Sequence, residues 1–118
     1  MNEQEVRHQF ISYLKSKLNY QDNNLVLEKR IGAKVIDLLI QDNSKTLALV
    51  EFKGNVSDLD GAESQVRDYL DLIENANCPA FLVAGNDYIY TLLSYGWQQI
   101  SIDNFPSLNI LRNQLQNK

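Results

Sequence analysis

The sequence KVIDLLIQDNSKTLALVEFK, residues 34–53, decides the fold, because two apolar segments flank a polar turn within it. Residues 34–41 are almost continuously apolar, as expected for a strand that is covered on both faces. The Asp-Asn-Ser-Lys sequence at 42–45 has the composition of a turn. Residues 46–53 then form the next strand, which Gly54 ends. This stretch predicts an antiparallel hairpin inside a sheet.

Two acidic residues interrupt the hairpin. If the turn occupies residues 42–46, with Gln41 opposite Leu47, then Asp37 and Glu51 face each other with their β-carbons roughly 5 Å apart. Two carboxylates in an apolar hairpin repel each other and lose hydration, and a divalent cation between them removes both costs. A register shift of two residues would make the pair diagonal instead of directly opposed.

Lys53 lies one step beyond Glu51 on the same face of the strand. A lysine there can neutralise a phosphate oxygen or orient a water molecule. Mg²⁺ prefers one or two carboxylates together with waters and substrate phosphate, and it stabilises charge on a phosphoryl group. Glu-x-Lys alone at a strand end is more typical of a surface ion pair, but the acid opposite it, Asp37, favours phosphodiester hydrolysis.

The rest of the chain alternates between helical and strand patterns. Outside the hairpin, the patterns predict helices over about 3–19, from Ala62 to Ala76, over 87–95 and over 107–116, and strands over 25–31, 79–84 and 97–102. The order α-β-β-β-α-β-α-β-α predicts an α/β (α+β) fold with a mixed sheet, in which a helical crossover makes one strand parallel to its neighbour. We expect residues 1–118 to form a single domain.

Charge restricts the class of partner. The chain has a net charge of −4, which argues against a free-standing protein that binds DNA tightly and nonspecifically. Residues 1–53 hold eight basic and seven acidic side chains, whereas the remainder holds three basic and eight acidic ones. DNA should therefore lie along the first half, and we expect a protein partner to assist.

Composition also indicates the compartment. The single cysteine, Cys78, excludes an internal disulfide and a zinc site with several cysteines. No apolar run approaches the roughly 18 residues that span a bilayer. The polar, acidic start of the chain is unlike a signal peptide. We expect a cytoplasmic protein with no membrane partner.

The motifs resemble those of a nuclease family. Asp37, followed after a hairpin by Glu-Phe-Lys at 51–53, resembles the PD-(D/E)XK signature. Gln-Val-Arg-Asp-Tyr at 65–69 is similar to the Gln-x-x-x-Tyr motif of the branch that contains the N-terminal nuclease domains of type I restriction enzyme R (motor) subunits. The resemblance covers roughly residues 3–86, with Ile36 in place of the proline that names the signature. It implies a restriction-endonuclease-like αβββαβ core, Mg²⁺ or Mn²⁺ as cofactor, and DNA as substrate.

The same resemblance implies a set of metal ligands. Asp37 and Glu51 become ligands through their carboxylates, and Phe52 becomes one through its backbone carbonyl. Many relatives place a glutamate of the first helix near the metal. We prefer Glu3 to Glu5 for this role because it extends the buried stripe of the helix, although either acid could merely favour the helix N-terminus.

Lys53 becomes the catalytic lysine by the same resemblance. Gln65 and Tyr69 are neighbours on one flank of a helix, where they could hold a phosphate or position Lys53. The alternative is a half-buried tyrosine beside a solvated amide.

Further residues are candidates for contact with DNA. Four basic residues could touch the backbone: Arg7, Lys29, Arg30 and Lys34. Arg7 could instead pair with Glu3, and the other three could form a charged hairpin rim. His8 is more typical of a solvated surface side chain. Four aromatic residues could stack on bases but are more often packing residues: Tyr88, Tyr90, Tyr95 and Trp97.

The leading hypothesis is a Mg²⁺-dependent DNA endonuclease, or the nuclease module of a restriction-like system. The alternative is a noncatalytic interaction module that keeps the nuclease scaffold. RNA also remains a candidate substrate. A homodimer is a further expectation if one site per chain is to cut both strands.

Overall fold

The computed structural model describes residues 2–74 and 77–116. Within those ranges the helices and strands follow in the order α1 (Glu3–Lys17), β1 (Leu25–Ile31), β2 (Lys34–Asp42), β3 (Lys45–Phe52), α2 (Leu59–Leu70), β4 (Ala80–Val83), β5 (Ile89–Leu93), β6 (Gly96–Ile100) and α3 (Leu108–Gln116). Two short 3₁₀ helices lie at Asp22–Asn24 and Ile102–Asn104. No helix in these ranges has the length and apolar character required to cross a membrane.

The six strands form one mixed sheet, in which neighbours in the chain are neighbours in space. Every adjacent pair is antiparallel except β3 and β4, which are parallel. Helix α2 lies in the connection between these two strands, since a parallel pair requires a crossover. The predicted α+β fold with a mixed sheet is confirmed.

Helices cover both faces of the sheet. The apolar positions of α1 recur at helical spacing, and Val6, Phe10 and Leu14 are buried against one face. Leu111 of α3 belongs to the same core. Helix α2 packs on the opposite face, where Val66 joins a second core cluster. The sheet therefore lies between two apolar layers, as the nearly continuous hydrophobicity of β2 predicts.

The β2–β3 hairpin differs from the prediction at its turn. A two-residue turn, with both Asn43 and Ser44 at positive φ, makes Gln41 pair with Thr46 rather than with Leu47. A β-bulge between Ile40 and Gln41 then shifts the register by one residue. Beyond the bulge, the pairs Leu38–Val50, Leu39–Leu49 and Ile40–Ala48 have the register that brings Asp37 opposite Glu51.

The predicted helix over 87–95 is wrong, because residues 89–93 form β5. Ile89, Tyr90 and Thr91 are aromatic or β-branched, and they extend the sheet by pairing with β4. The glycine that suggested the end of a helix, Gly96, is the first residue of β6, with φ +124°. Tertiary pairing overrides a weak helical pattern here.

The second helix is shorter than predicted. It begins after Asp58, whose carboxylate accepts a hydrogen bond from the Gly61 amide at 2.9 Å, and it ends at Leu70. The predicted helix reached Ala76, which lies outside the described residues. Its start, Leu59, lies three residues before the predicted Ala62. The boundaries of the other correctly predicted elements agree within two residues.

Candidate active site

The Asp37 carboxylate lies where the backbone pairing of β2 with β3 ends. The last pair is Leu38–Val50, and two residues further along β3 the Phe52 amide donates to Asp37 Oδ2 at 2.9 Å. The Asp37 side chain thus accepts the hydrogen bond that a backbone carbonyl of β2 would otherwise accept from β3. A carboxylate bound to a backbone amide is held firmly, because hydrogen bonds to ionised groups are stronger than neutral ones.

Glu51 is the other carboxylate of the pair and is only 2% exposed. Burial raises the pKa of Glu51 to about 9, and the hydrogen-bonding contact with Asp37 and the charge of Asp37 push it in the same direction. Lys53 lowers this pKa, but less strongly, since its Nζ is 3.7 Å from Glu51 Oε2. The lysine therefore does not neutralise the pair.

The two carboxylates fit a divalent cation. Glu51 Oε1 is buried and has no hydrogen-bond partner among the described residues. An unsatisfied buried oxygen is costly, and so are two acidic groups in contact. A cation between the groups would satisfy the oxygen and balance both charges. Mg²⁺ suits such a site, because it usually retains several waters beside one or two carboxylates.

The remaining predicted ligands are the Phe52 carbonyl and Glu3, and Glu3 does not join the two acids in a group close enough to hold a metal ion. The N–H and C=O of a strand residue point toward the same neighbouring strand, so the Phe52 carbonyl faces β2 and Asp37. Glu3 is exposed, and its charge raises the pKa of Glu51, whereas the Glu5 backbone amide donates a hydrogen bond to the side chain of Asn2, which caps the helix. Across residues 2–74 and 77–116, no group of three or more His, Cys, Asp or Glu side chains is close enough to hold a metal ion.

Lys53, Gln65 and Tyr69 form a hydrogen-bonded chain across β3 and α2. Lys53 Nζ donates to Gln65 Oε1 at 3.2 Å, and Gln65 Nε2 donates to the Tyr69 hydroxyl oxygen at 2.7 Å. Burial raises the pKa of Tyr69, which the charges of Glu51 and Asp37 also raise. The spacing of four residues aligns the amide with the hydroxyl, and the amide oxygen orients the ammonium group.

Arg7 pairs with an acid that the sequence did not single out. Its Nη1 lies 3.0 Å from Glu28 Oε1, and its guanidinium carbon lies 5.9 Å from the centre of the Phe52 ring. Of the two alternatives for Arg7, the ion pair with Glu3 is not the one formed, since its acidic partner is Glu28. Glu28 has φ +53°, which is uncommon for a residue with a side chain, and no local sequence signal predicts it.

The other basic candidates lie on the hairpin of β1 and β2, in which Lys29 pairs with Ile36, the residue before Asp37. Three exposed side chains belong to the hairpin of β1 and β2: Lys29, Arg30 and Lys34. His8 is exposed on α1. Trp97 Nε1 donates to the Leu59 carbonyl at 3.0 Å, which supports a packing role at the start of α2. Tyr90 is half-buried in β5, whereas Tyr88 and Tyr95 are exposed at 49% and 78%.

Comparison with known proteins adds one finding. Residues 2–106 match the family model described as type I restriction enzyme R protein N terminus. The match covers all the site residues described above. Neither the curated proteins nor the solved structures include a significant match to the chain.

Proposed function

Because the chain belongs to the family of type I restriction enzyme R protein N-terminal domains, we propose that it is a Mg²⁺-dependent deoxyribonuclease. The observation that carries the proposal is the contact of Asp37 with the buried Glu51, whose Oε1 has no hydrogen-bond partner among the described residues. A purely structural pair of acids in a sheet core would be destabilising. A cation site accounts for both groups.

In the proposed mechanism, Asp37 and Glu51 hold Mg²⁺ (or Mn²⁺) together with the Phe52 carbonyl, and Glu3 adds negative charge nearby. The bound ion supplies Lewis-acid stabilisation of the phosphoryl group and a more acidic water. The amide of Phe52 keeps the Asp37 carboxylate in place throughout, because it belongs to the main chain of β3.

Lys53 is the proposed partner of the scissile phosphate. Its side chain is 38% exposed, so a phosphate oxygen can reach the ammonium group, while Gln65 Oε1 fixes its direction. In that position Lys53 stabilises the negative charge that develops as the phosphodiester bond breaks. Gln65 and Tyr69 are positioning residues in this scheme, since they act on the lysine.

The DNA backbone is proposed to lie along Arg7 and the hairpin that carries Lys29, Arg30 and Lys34. The net charge of −4 limits the affinity that this chain can supply alone. We therefore propose that a protein partner provides further contact with DNA, as expected for a restriction complex in the cytoplasm. A second copy of the chain is the proposed means of cutting both strands.

A plasmid-cleavage assay tests the proposal. Wild type should nick supercoiled DNA with Mg²⁺ and lose that activity with a chelator, and Lys53→Ala should reduce the rate by at least about 100-fold. Salt must be varied, because phosphate contacts weaken steeply with ionic strength. Cleavage that persists unchanged in Lys53→Ala would remove the lysine from the mechanism. Cleavage of single-stranded RNA but not of DNA would reassign the substrate.

The second candidate is a noncatalytic module that keeps the nuclease scaffold. The acidic net charge favours it, because an efficient nuclease must grip a polyanion. Calorimetry distinguishes the two functions. Absence of Mg²⁺ and Mn²⁺ binding near millimolar concentration, even with DNA present, would support the scaffold and contradict the nuclease.

A further inference from the structure

A cavity of about 590 Å³ opens where the parallel strands β3 and β4 end. Its walls are the segments that follow these strands, residues 54–56 and 84–88, together with Gln9 of α1. The Lys53 amide donates to the Val83 carbonyl at 3.0 Å, so the two segments leave the sheet side by side. Crevices beyond the carboxyl ends of parallel strands are common ligand sites.

The cavity adjoins the place proposed for the phosphate. A smaller cavity of about 190 Å³ is lined by Lys53 and Gln65, and Asn55 and Val56 line both cavities. Residues 55–56 therefore separate the larger cavity from the position of a nucleotide whose phosphate contacts Lys53. The larger cavity is the position for the base of that nucleotide or of its neighbour.

The chemistry of the larger cavity suits a base and not a phosphate. Among the described residues that line it, none is basic, and Asp87 is acidic, so it repels an anion. Tyr88 presents a half-exposed aromatic ring, on which any base can stack. Gln9 and Asn86 supply amide groups of the kind that hydrogen-bond to base edges.

The turn that carries Tyr88 is held by its backbone. The Tyr88 amide donates to the Gly85 carbonyl at 3.0 Å, and the Ala84 amide donates to the Tyr88 carbonyl at 2.9 Å. Gly85 has φ +137°, a conformation that favours glycine. The backbone of this turn is thus held without the Tyr88 side chain, and replacement of that side chain leaves both backbone bonds in place.

From this arrangement we infer that the cavity binds an unpaired nucleobase beside the scissile phosphate. A base within a duplex is stacked and paired, so it must leave the helix or come from a single strand to enter. The preferred substrate is then DNA with a single-stranded end or gap. The location of the phosphate rests on the proposed nuclease function, but binding of a base to the cavity can be measured without cleavage.

The test compares binding of a blunt DNA duplex with binding of the same duplex carrying a short unpaired tail, in the presence of a chelator so that nothing is cut. Wild type should bind the tailed duplex more tightly. Tyr88→Ala should reduce that preference by about 5- to 150-fold, the range that corresponds to losing one base-stacking contact. Tyr88→Phe, which keeps the ring, should retain it. Tyr95→Ala is the matched control, because this tyrosine is 78% exposed at the turn between β5 and β6.

Equal binding of tailed and blunt DNA by wild type would overturn the inference, and so would a tail preference that survives in Tyr88→Ala. If either result came with normal plasmid cleavage, the nuclease proposal would stand without the base site. A Tyr88-dependent tail preference in a protein that cuts no DNA would support the base site and contradict the nuclease.

Discussion

The amide of Phe52 donates a 2.9 Å hydrogen bond to Asp37 Oδ2, at the point where β2 and β3 cease to pair through their backbones. This bond ties the Asp37 carboxylate to the main chain of β3, which is the strand that carries Glu51. The two acids therefore stay in register even though they repel each other.

Asp37→Ala should abolish Mg²⁺ binding and reduce DNA cleavage by more than about 100-fold. Loss of a group that only hydrogen-bonds to a metal ligand typically costs about 10- to 100-fold, and loss of the ligand itself should cost more. Calorimetry and a nicking assay measure the two effects, and circular dichroism checks the fold. Asp68→Ala, which removes an exposed acid from α2, should leave both unchanged. Undiminished cleavage by Asp37→Ala would remove Asp37 from the mechanism.

Gln65→Ala should lower the cleavage rate by about 10- to 100-fold while leaving Mg²⁺ affinity nearly unchanged, because the amide orients Lys53 rather than the metal. Gln65→Glu should restore part of the rate, since a carboxylate also accepts from the ammonium group. The control is Ser64→Ala, an exposed neighbour on the same helix. If metal affinity falls in parallel with the rate, then Gln65 supports the carboxylates instead of the lysine.

The metal-free protein should become less stable as the pH rises. The pKa of Glu51 is raised from 4.5 to about 9 by burial and by Asp37, so the folded state keeps a proton that the unfolded state loses. Its contribution to the free energy of unfolding is complete below about pH 4.5 and is lost as the pH rises through about 9. Urea unfolding of wild type and Glu51→Gln with a chelator, at several pH values, measures it.

Glu51→Gln keeps a neutral side chain at every pH and serves as the reference. As the pH rises, the free energy of unfolding of wild type should fall relative to that of Glu51→Gln. A difference that stays constant over this interval would mean that Glu51 is already ionised in the folded protein. Added Mg²⁺ should reverse the alkaline loss by stabilising the ionised carboxylate.

Arg30→Ala and Lys34→Ala should each weaken DNA binding. If each side chain neutralises one phosphate, each variant should also make the slope of log affinity against log salt concentration shallower by about one unit. Titrations at several salt concentrations measure the slope. Lys45→Ala provides a matched control, because Lys45 is exposed at the start of β3, where it pairs with Asp42 at the end of β2 remote from Lys34. An equal change in slope for all three variants would indicate a general charge effect rather than a DNA path along the hairpin.

Much of the fold could be predicted from residues 34–53, because their hydrophobicity is strong and the polar turn is short. The helix predicted over 87–95 failed because a short apolar segment suits either structure, and pairing with β4 decides between them. Alternation along the strands predicted the face on which each acid lies, but the register that brings Asp37 opposite Glu51 depends on the β-bulge between Ile40 and Gln41, which the sequence did not predict. The Arg7–Glu28 ion pair could not, since it joins a helix to a strand and depends on the left-handed backbone of Glu28.

The β-bulge between Ile40 and Gln41 separates the chemistry from the tip of the hairpin. One strand absorbs the extra residue there, so the alignment of the two acids is set by the three residue pairs on the near side of the bulge. The length of the loop at residues 43–44 can therefore change without altering the alignment of the two carboxylates. Relatives with longer or shorter tips could keep the same alignment of the two acids, and that tip is a tolerant place to insert a label.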